Sequence, residues 1–348
     1  MPESVIKLHC VWKIFGANVG DALRAMTEQG LTKAQVLDRF GCVVGIADCS
    51  FEVPRGEIFC VMGLSGSGKS TMVRLINRLI EPTSGRIEVL GLDVLALGDG
   101  ELRELRASQI GMVFQHMALL PHRTVRDNVA FPLQVQGEPK SRRWEESQRC
   151  LSLVNLDGYE DRFPSELSGG MQQRVGLARA LASDPEILLM DEPFSALDPL
   201  IRRRLQEQFM SLSAELNKTT VFITHDLDEA IRIGSRIAIM NDGRIVQIGT
   251  PEEIVTNPID EYVREFVQGI STLKLVFAHT IMERIEAYRP RGDEDLSRAP
   301  RAAHDVDLSG LIDLSATTDQ PIVITRDGTD VGVIDKATLL KGIKGGND

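Results

Sequence analysis

Short apolar runs, each closed by a polar or glycine-rich turn and followed by helical spacing, recur along most of this chain. Ile58-Phe59-Cys60-Val61-Met62, Ile110-Gly111-Met112-Val113-Phe114, Ile187-Leu188-Leu189-Met190 and Thr220-Val221-Phe222-Ile223 have strand length. Such runs, buried on both faces and alternating with helices, imply an α/β fold with a mostly parallel sheet. Residues 5–15, Gly45 to Val53 and Arg86 to Leu90 also read as strands. Between the first two of these, Asp21 predicts the cap of a helix running to Glu28 with Gly30 as its stop. Thr32 with Gln35 predicts a capping box for a second helix ending near Gly41. This helical hairpin, about residues 16–45, reads as an insertion between two strands.

From His116 to about Gln173 the composition is helical, with amphipathic stretches at Val125 to Val135 and Arg142 to Val154. It reads as a helical subdomain inserted in the α/β core. A seam is expected near Gly269-Ile270-Ser271. Beyond it the pattern predicts a helix from Phe277 to Ala287 and a loop rich in charge, Pro and Gly from Arg289 to Arg301. A strand at Pro321 to Thr325, a turn at Arg326 to Thr329 and a strand at Val331 to Ile334 follow, then a helix capped by Asp335 and running through Ile343.

A length of 348 residues suits one large domain and a smaller one. The net charge of -11, from 39 Lys+Arg against 50 Asp+Glu, argues against a nucleic-acid partner, because neutralising phosphates needs a basic face. No stretch approaches the ~18 apolar residues of a membrane span, and Met1-Pro2-Glu3-Ser4 lacks a signal-peptide pattern. A cytoplasmic chain docked on a membrane protein is the expectation. The five cysteines, Cys10, Cys42, Cys49, Cys60 and Cys150, show no C-x-x-C spacing and read as reduced thiols.

The segment after the first buried strand carries the strongest chemical signal. Gly63-Leu64-Ser65-Gly66-Ser67-Gly68-Lys69-Ser70-Thr71 fits the phosphate-binding pattern G-x-x-x-x-G-K-[ST] in full. Glycines at 63, 66 and 68 let the backbone aim several N–H groups at one anion, and the next helix adds the positive end of its dipole. Lys69 is placed to reach the β/γ-phosphates and Ser70 to hold Mg²⁺. The run Ile187 to Met190 ends in Asp191-Glu192, at the strand end where parallel sheets bind ligands. Asp191 is expected to hold Mg²⁺ with Ser70, and Glu192 to polarise the attacking water.

Leu167-Ser168-Gly169-Gly170-Met171-Gln172-Gln173, leading into Arg174-Val175-Gly176-Leu177, resembles the signature sequence of ATP-binding cassette (ABC) ATPases. The resemblance covers about residues 5–270. It implies a P-loop cassette with a RecA-like core, an antiparallel β subdomain and the helical subdomain. It also implies that Ser168, Gly169, Gly170 and Gln172 reach the γ-phosphate held by a second subunit. A second anion site at a helix N-terminus agrees with a head-to-tail homodimer that sandwiches two ATPs. By the same resemblance Gln115 matches the Q-loop glutamine, and Ser195-Ala196-Leu197-Asp198 the D-loop. His225 matches the switch histidine. Phe15 is similar to the aromatic that stacks on adenine, with Trp12 nearby.

The hairpin at 16–45, Ala118-Leu119-Leu120-Pro121-His122 and Phe194-Ser195-Ala196-Leu197-Asp198-Pro199-Leu200-Ile201-Arg202 look like the cassettes that power uptake of glycine betaine, proline and choline. The implied partners are membrane permease subunits and, through them, a periplasmic or extracellular substrate-binding protein. The implied location is the cytoplasmic face of the plasma membrane. Residues 277–348 are similar to the latter half of a CBS motif, with only one motif's worth of chain. An importer of another solute and a non-transport nucleotide-sensing switch are the alternatives.

Overall fold

In the computed structural model, which describes residues 3–115, 118–195, 197–268, 273, 275–290, 295–326 and 328–343, the buried runs become neighbouring strands. β1 (Ser4–Phe15) leads through α1 (Val19–Gln29) and α2 (Lys33–Phe40) to β2 (Val43–Pro54), β3 (Ile58–Met62) and α3 (Lys69–Ile76). Next come β4 (Ser84–Val89), β5 (Leu92–Asp93), α4 (Asp99–Ser108) and β6 (Ile110–Val113). The helical stretch holds α5 (Val125–Val129), α6 (Phe131–Val135), α7 (Lys140–Leu153) and α8 (Gly169–Leu181). The chain then returns to sheet through β7 (Ile187–Asp191), α9 (Pro199–Leu216), β8 (Thr219–Thr224), α10 (Leu227–Ile233), β9 (Arg236–Asn241) and β10 (Arg244–Gly249).

Six strands pair in the order β10-β9-β3-β8-β7-β6, and the pairings of β3 with β8 and β9 and of β7 with β6 and β8 are parallel. A separate antiparallel sheet has the order β2-β1-β4-β5. One apolar core joins Ile6 and Leu8 of the antiparallel sheet, Met72 and Leu75 of α3, and Phe59, Val221 and Ile223 of the parallel sheet. The helix that leaves the phosphate loop is thereby fixed between two sheets. These elements fill the first of two compact units, Met1–Ile248.

The hairpin insertion carries a small core of its own, built from Trp12, Ile14, Ala22, Val36 and Cys42. α2 starts as expected, with the Thr32–Gln35 capping box, and Gly30 and Gly41 close the two helices in the left-handed region. Asp21 is not the cap of α1, which starts after Asn18. It lies in the first turn, where its carboxylate faces the positive helix end and pairs with Arg24 at 3.9 Å.

The second unit, Gly249–Asp348, begins with α11 (Pro251–Thr256) and α12 (Glu261–Val267). The seam expected near Gly269-Ile270-Ser271 lies outside the described residues. Further on are α13 (Ala278–Ile281), β11 (Glu283–Arg284), β12 (Arg301–Ala303), α14 (Leu308–Ser315), β13 (Ile322–Arg326), β14 (Thr329–Ile334) and α15 (Lys336–Ile343). The strands pair in the order β11-β14-β13-β12. Asp335 accepts from Thr338 N at 2.7 Å, as its expected capping role requires. The helix expected from Phe277 to Ala287 stops at Ile281, because Met282 turns extended and Glu283 and Arg284 pair with Val333 and Gly332. Pairing with a strand far downstream thus overrides the local helical spacing, as tertiary context commonly does.

Among the described residues no helix is long and apolar enough to cross a membrane. Of the five cysteines only Cys10 is exposed. Burial pushes the Cys49 thiol up to about 12 and that of Cys150 to about 11, and raises Cys60 further. Thiolates are the reactive form. We therefore expect one thiol per native chain to react rapidly with Ellman's reagent at pH 8, and all five after denaturation. Rapid reaction of two or more in the folded protein would contradict this packing.

Candidate active site

Two positions in the turn between β3 and α3 leave no room for a side chain. A Cβ at Gly63, at φ 156°, would lie 2.2 Å from Met240 O, and one at Gly68, at φ 105°, would lie 2.5 Å from Gly45 O. The loop is wedged between β2 and the β9–β10 turn, whose Gly243 N–H donates to Ser67 O at 2.9 Å. Lys69 opens α3 with only 6% of its surface exposed, and its ammonium donates to Gly63 O at 2.7 Å and Leu64 O at 3.1 Å. Burial lowers its pKa, against the opposing pull of the Glu192 and Asp191 carboxylates.

Sheet order brings the end of β7 beside this loop. Ser70 Oγ donates to Asp191 Oδ1 at 2.8 Å, and burial raises the pKa of the Asp191 carboxyl while the Ser70 hydrogen bond holds it back. Arg74, one turn along α3, stands 4.0 Å from the other Asp191 oxygen. Glu192 sits at φ 47°, in the left-handed region, with its N–H donating to Ile223 O at 3.1 Å. That conformation costs about 1–2 kcal/mol for a residue with a side chain, and such outliers cluster at active sites. It aims the carboxylate at two partners. Gln115 Nε2 donates to Glu192 Oε2 at 3.3 Å, and His225 Nδ1 lies 3.1 Å from the same oxygen, within hydrogen-bond distance.

A cleft of about 710 Å³ runs over these groups. Phe15 from β1, the loop residues Ser65, Gly66 and Gly68, and Lys69, Ser70 and Thr71 of α3 line it together with Gln115, Glu192 and His225. Trp12 is buried in the hairpin core beneath Arg244, so of the two candidate aromatics it is Phe15 that borders the cleft. Val43, Val44 and Gly45 also line it, which the sequence reading missed. The signal was a glycine inside a strand pattern, which marks close approach. A Cβ at Gly45 would lie 2.9 Å from the Phe15 ring.

The signature residues stand elsewhere. Ser168 caps α8, its hydroxyl accepting from Met171 N at 3.3 Å, with Gly169 and Gly170 in the first turn. Gln172 turns its amide back onto the carbonyls of Pro164 and Leu167, at 3.0 and 3.3 Å. Asp198 caps α9 by accepting from Ile201 N at 3.1 Å. Ala196 lies outside the described residues. Neither this helix start nor Asp198 borders the cleft formed by the described residues of the same chain.

A glycine loop that cradles phosphate, opening beside a strand-end pair of acids, is the working arrangement of a P-loop nucleotide-hydrolysing protein. The sequence pattern of the family described as ABC transporter matches residues 46–195. The glycine betaine transport ATP-binding protein OpuAA of Bacillus subtilis is 51% identical over 298 residues, covering 86% of this chain and 70% of the relative. The trimethylamine N-oxide transport system ATP-binding protein TmoW of Pelagibacter ubique is 45% identical over 331 residues, covering 95% and 94%. A solved dimeric post-hydrolysis state of an ATP-binding cassette, bound to ADP and Pi, matches with a TM-score of 0.60 at 32% identity, over 71% of this chain and 98% of that one. This chain belongs to the ATP-binding subunits of ABC transporters and is an ATPase with the ABC cassette fold.

Proposed function

We propose that the chain is the ATP-hydrolysing subunit of an importer for a quaternary amine such as glycine betaine, choline or proline betaine. The observation that carries this is the near end-to-end match to a cassette named for transport of a methylated-nitrogen solute, added to the match to the glycine betaine cassette. Two copies act head to tail. The loop amides and Lys69 bind the phosphates of ATP, and Phe15 packs against the base. Ser70, Asp191 and Gln115 form a hard oxygen set that suits Mg²⁺, which when bound neutralises charge on the β- and γ-phosphates. Ser70 and Asp191 already stand at hydrogen-bond distance, which fits that role. Glu192 orients the water, His225 and Gln115 hold Glu192, and Ser168, Gly169 and Gly170 close from the second copy.

A second groove, of about 430 Å³, supports docking on a membrane permease at the cytoplasmic face. It is floored by apolar groups such as Phe114, Phe131 and Val135 and lined by Arg103, Arg106 and Arg179. Burial lowers the pKa of Arg106 and Arg179. Among the described residues none of those lining it is a carboxylate, although the chain as a whole is acidic. A short amphipathic helix with an acidic residue suits such a groove. A permease, with its substrate-binding protein beyond it, supplies the transport path, and residues 277–348 act as a CBS-like regulatory module. The test is uptake of radiolabelled glycine betaine by cells or vesicles carrying this subunit with its permease. Arg103→Glu should lower uptake at least about tenfold, by placing like charges in contact, while the isolated subunit still hydrolyses ATP. Uptake of none of the three amines by the parent complex would overturn the cargo class.

A further inference from the structure

One guanidinium joins the two turns that flank the catalytic carboxylate. Arg202 stands one turn into α9, and its side chain folds back over the start of that helix. Its Nη2 donates to Leu197 O at 3.1 Å and reaches Ser195 O at 3.5 Å. Its Nη1 donates to Asp226 Oδ2 at 3.3 Å. Asp226 follows His225 directly, and its other carboxylate oxygen caps α10 by accepting from Glu229 N at 3.1 Å. Its own N–H donates to Thr224 Oγ1 at 3.0 Å, so the turn bearing His225 is tied at both ends. Glu229 is buried and held by Gln206 Nε2 at 2.8 Å, with Gln206 one helical turn beyond Arg202 on the same helix. α9 thus grips the His225 turn at two points.

We propose that Arg202 is a positioning residue that couples the backbone at Ser195 and Leu197 to His225, so that movement of those carbonyls by the second copy resets His225 against Glu192. The inference rests on the proposed roles of Glu192 and His225 and on the head-to-tail pairing. The physical reason lies in the fork. A planar guanidinium donates in fixed directions to backbone carbonyls on one side and a carboxylate on the other. A lysine supplies the charge without that geometry. If the carbonyls of Ser195 and Leu197 shift, the guanidinium must follow them or lose its partners. Asp226 then moves with it.

The test is a double-mutant cycle on the full-length protein, reading kcat and KM for MgATP. Arg202→Met and Asp226→Asn are each expected to lower kcat about tenfold with KM held within about twofold. The double variant should also lose about tenfold instead of about a hundredfold, because both changes cut one connection. Arg202→Lys should fall between parent and Arg202→Met. A multiplicative loss in the double variant, parental turnover in Arg202→Met, or a loss confined to KM would each overturn the coupling. If Arg202→Met does not melt cooperatively, Arg202→Lys with Asp226→Asn closes the same cycle. Parental turnover in His225→Ala and Glu192→Gln would instead remove the underlying site reading, so the two failures are told apart.

Discussion

Glu192→Gln should bind MgATP as well as the parent and turn it over about a hundred- to a thousandfold more slowly, the usual loss when a general base is removed. The carboxylate is held at the strand end by a left-handed backbone and by Gln115 and His225, whose donors meet on one oxygen. A glutamine preserves volume and keeps an oxygen for those donors, but it cannot draw a proton from water. Binding should survive because the proposed phosphate contacts, the loop amides and Lys69, are untouched. Nucleotide-bound dimers should then accumulate, visible by light scattering. Asp191→Asn should behave differently, weakening MgATP binding itself, because Asp191 and Ser70 form the candidate metal pair. Parental turnover in Glu192→Gln would end the assignment of the base.

The other large effect comes from placing two defects on different chains. Ser168 and Lys69 do not border one cleft among the described residues of a chain, and in the proposed head-to-tail pair each complete site takes one from each copy. Ser168→Arg alone and Lys69→Ala alone should each lose nearly all activity. Mixed in equal amounts, half of the dimers pair one variant with the other, and each such dimer rebuilds one intact site of its two. Recovery of about a quarter of parental turnover follows from the two-fold symmetry, if one site fires without the other. No recovery despite demonstrated mixed dimers would count against the composite site.

The parts of this molecule that could be read from the chain were those set by local chemistry. Gly63 and Gly68 announce a loop that no other residue can form, and Thr32 with Gln35 announces a helix start, because each interaction closes within a few residues. The buried strands were legible from composition. What escaped depended on distant partners. The strand Glu283–Arg284 exists only because β14 offers it an edge. Val43 and Val44 became part of the cleft through the register of β2 against β1, which pairs Phe15 with Val43. Arg202 stood out in the sequence only as the last residue of the run from Phe194, and its carbonyl partners come from the fold.

The lone exposed thiol has a practical side. Fluorescence and spin-label spectroscopy usually begin by stripping a protein of its native cysteines, a step that often costs stability. Here the fold seals four of the five and presents Cys10 on the antiparallel sheet of the nucleotide-binding unit. The unaltered chain therefore comes with its own labelling point. In the proposed head-to-tail pair that point would occur once per copy, so a single reaction would equip the assembly with two probes and one separation to follow on addition of ATP.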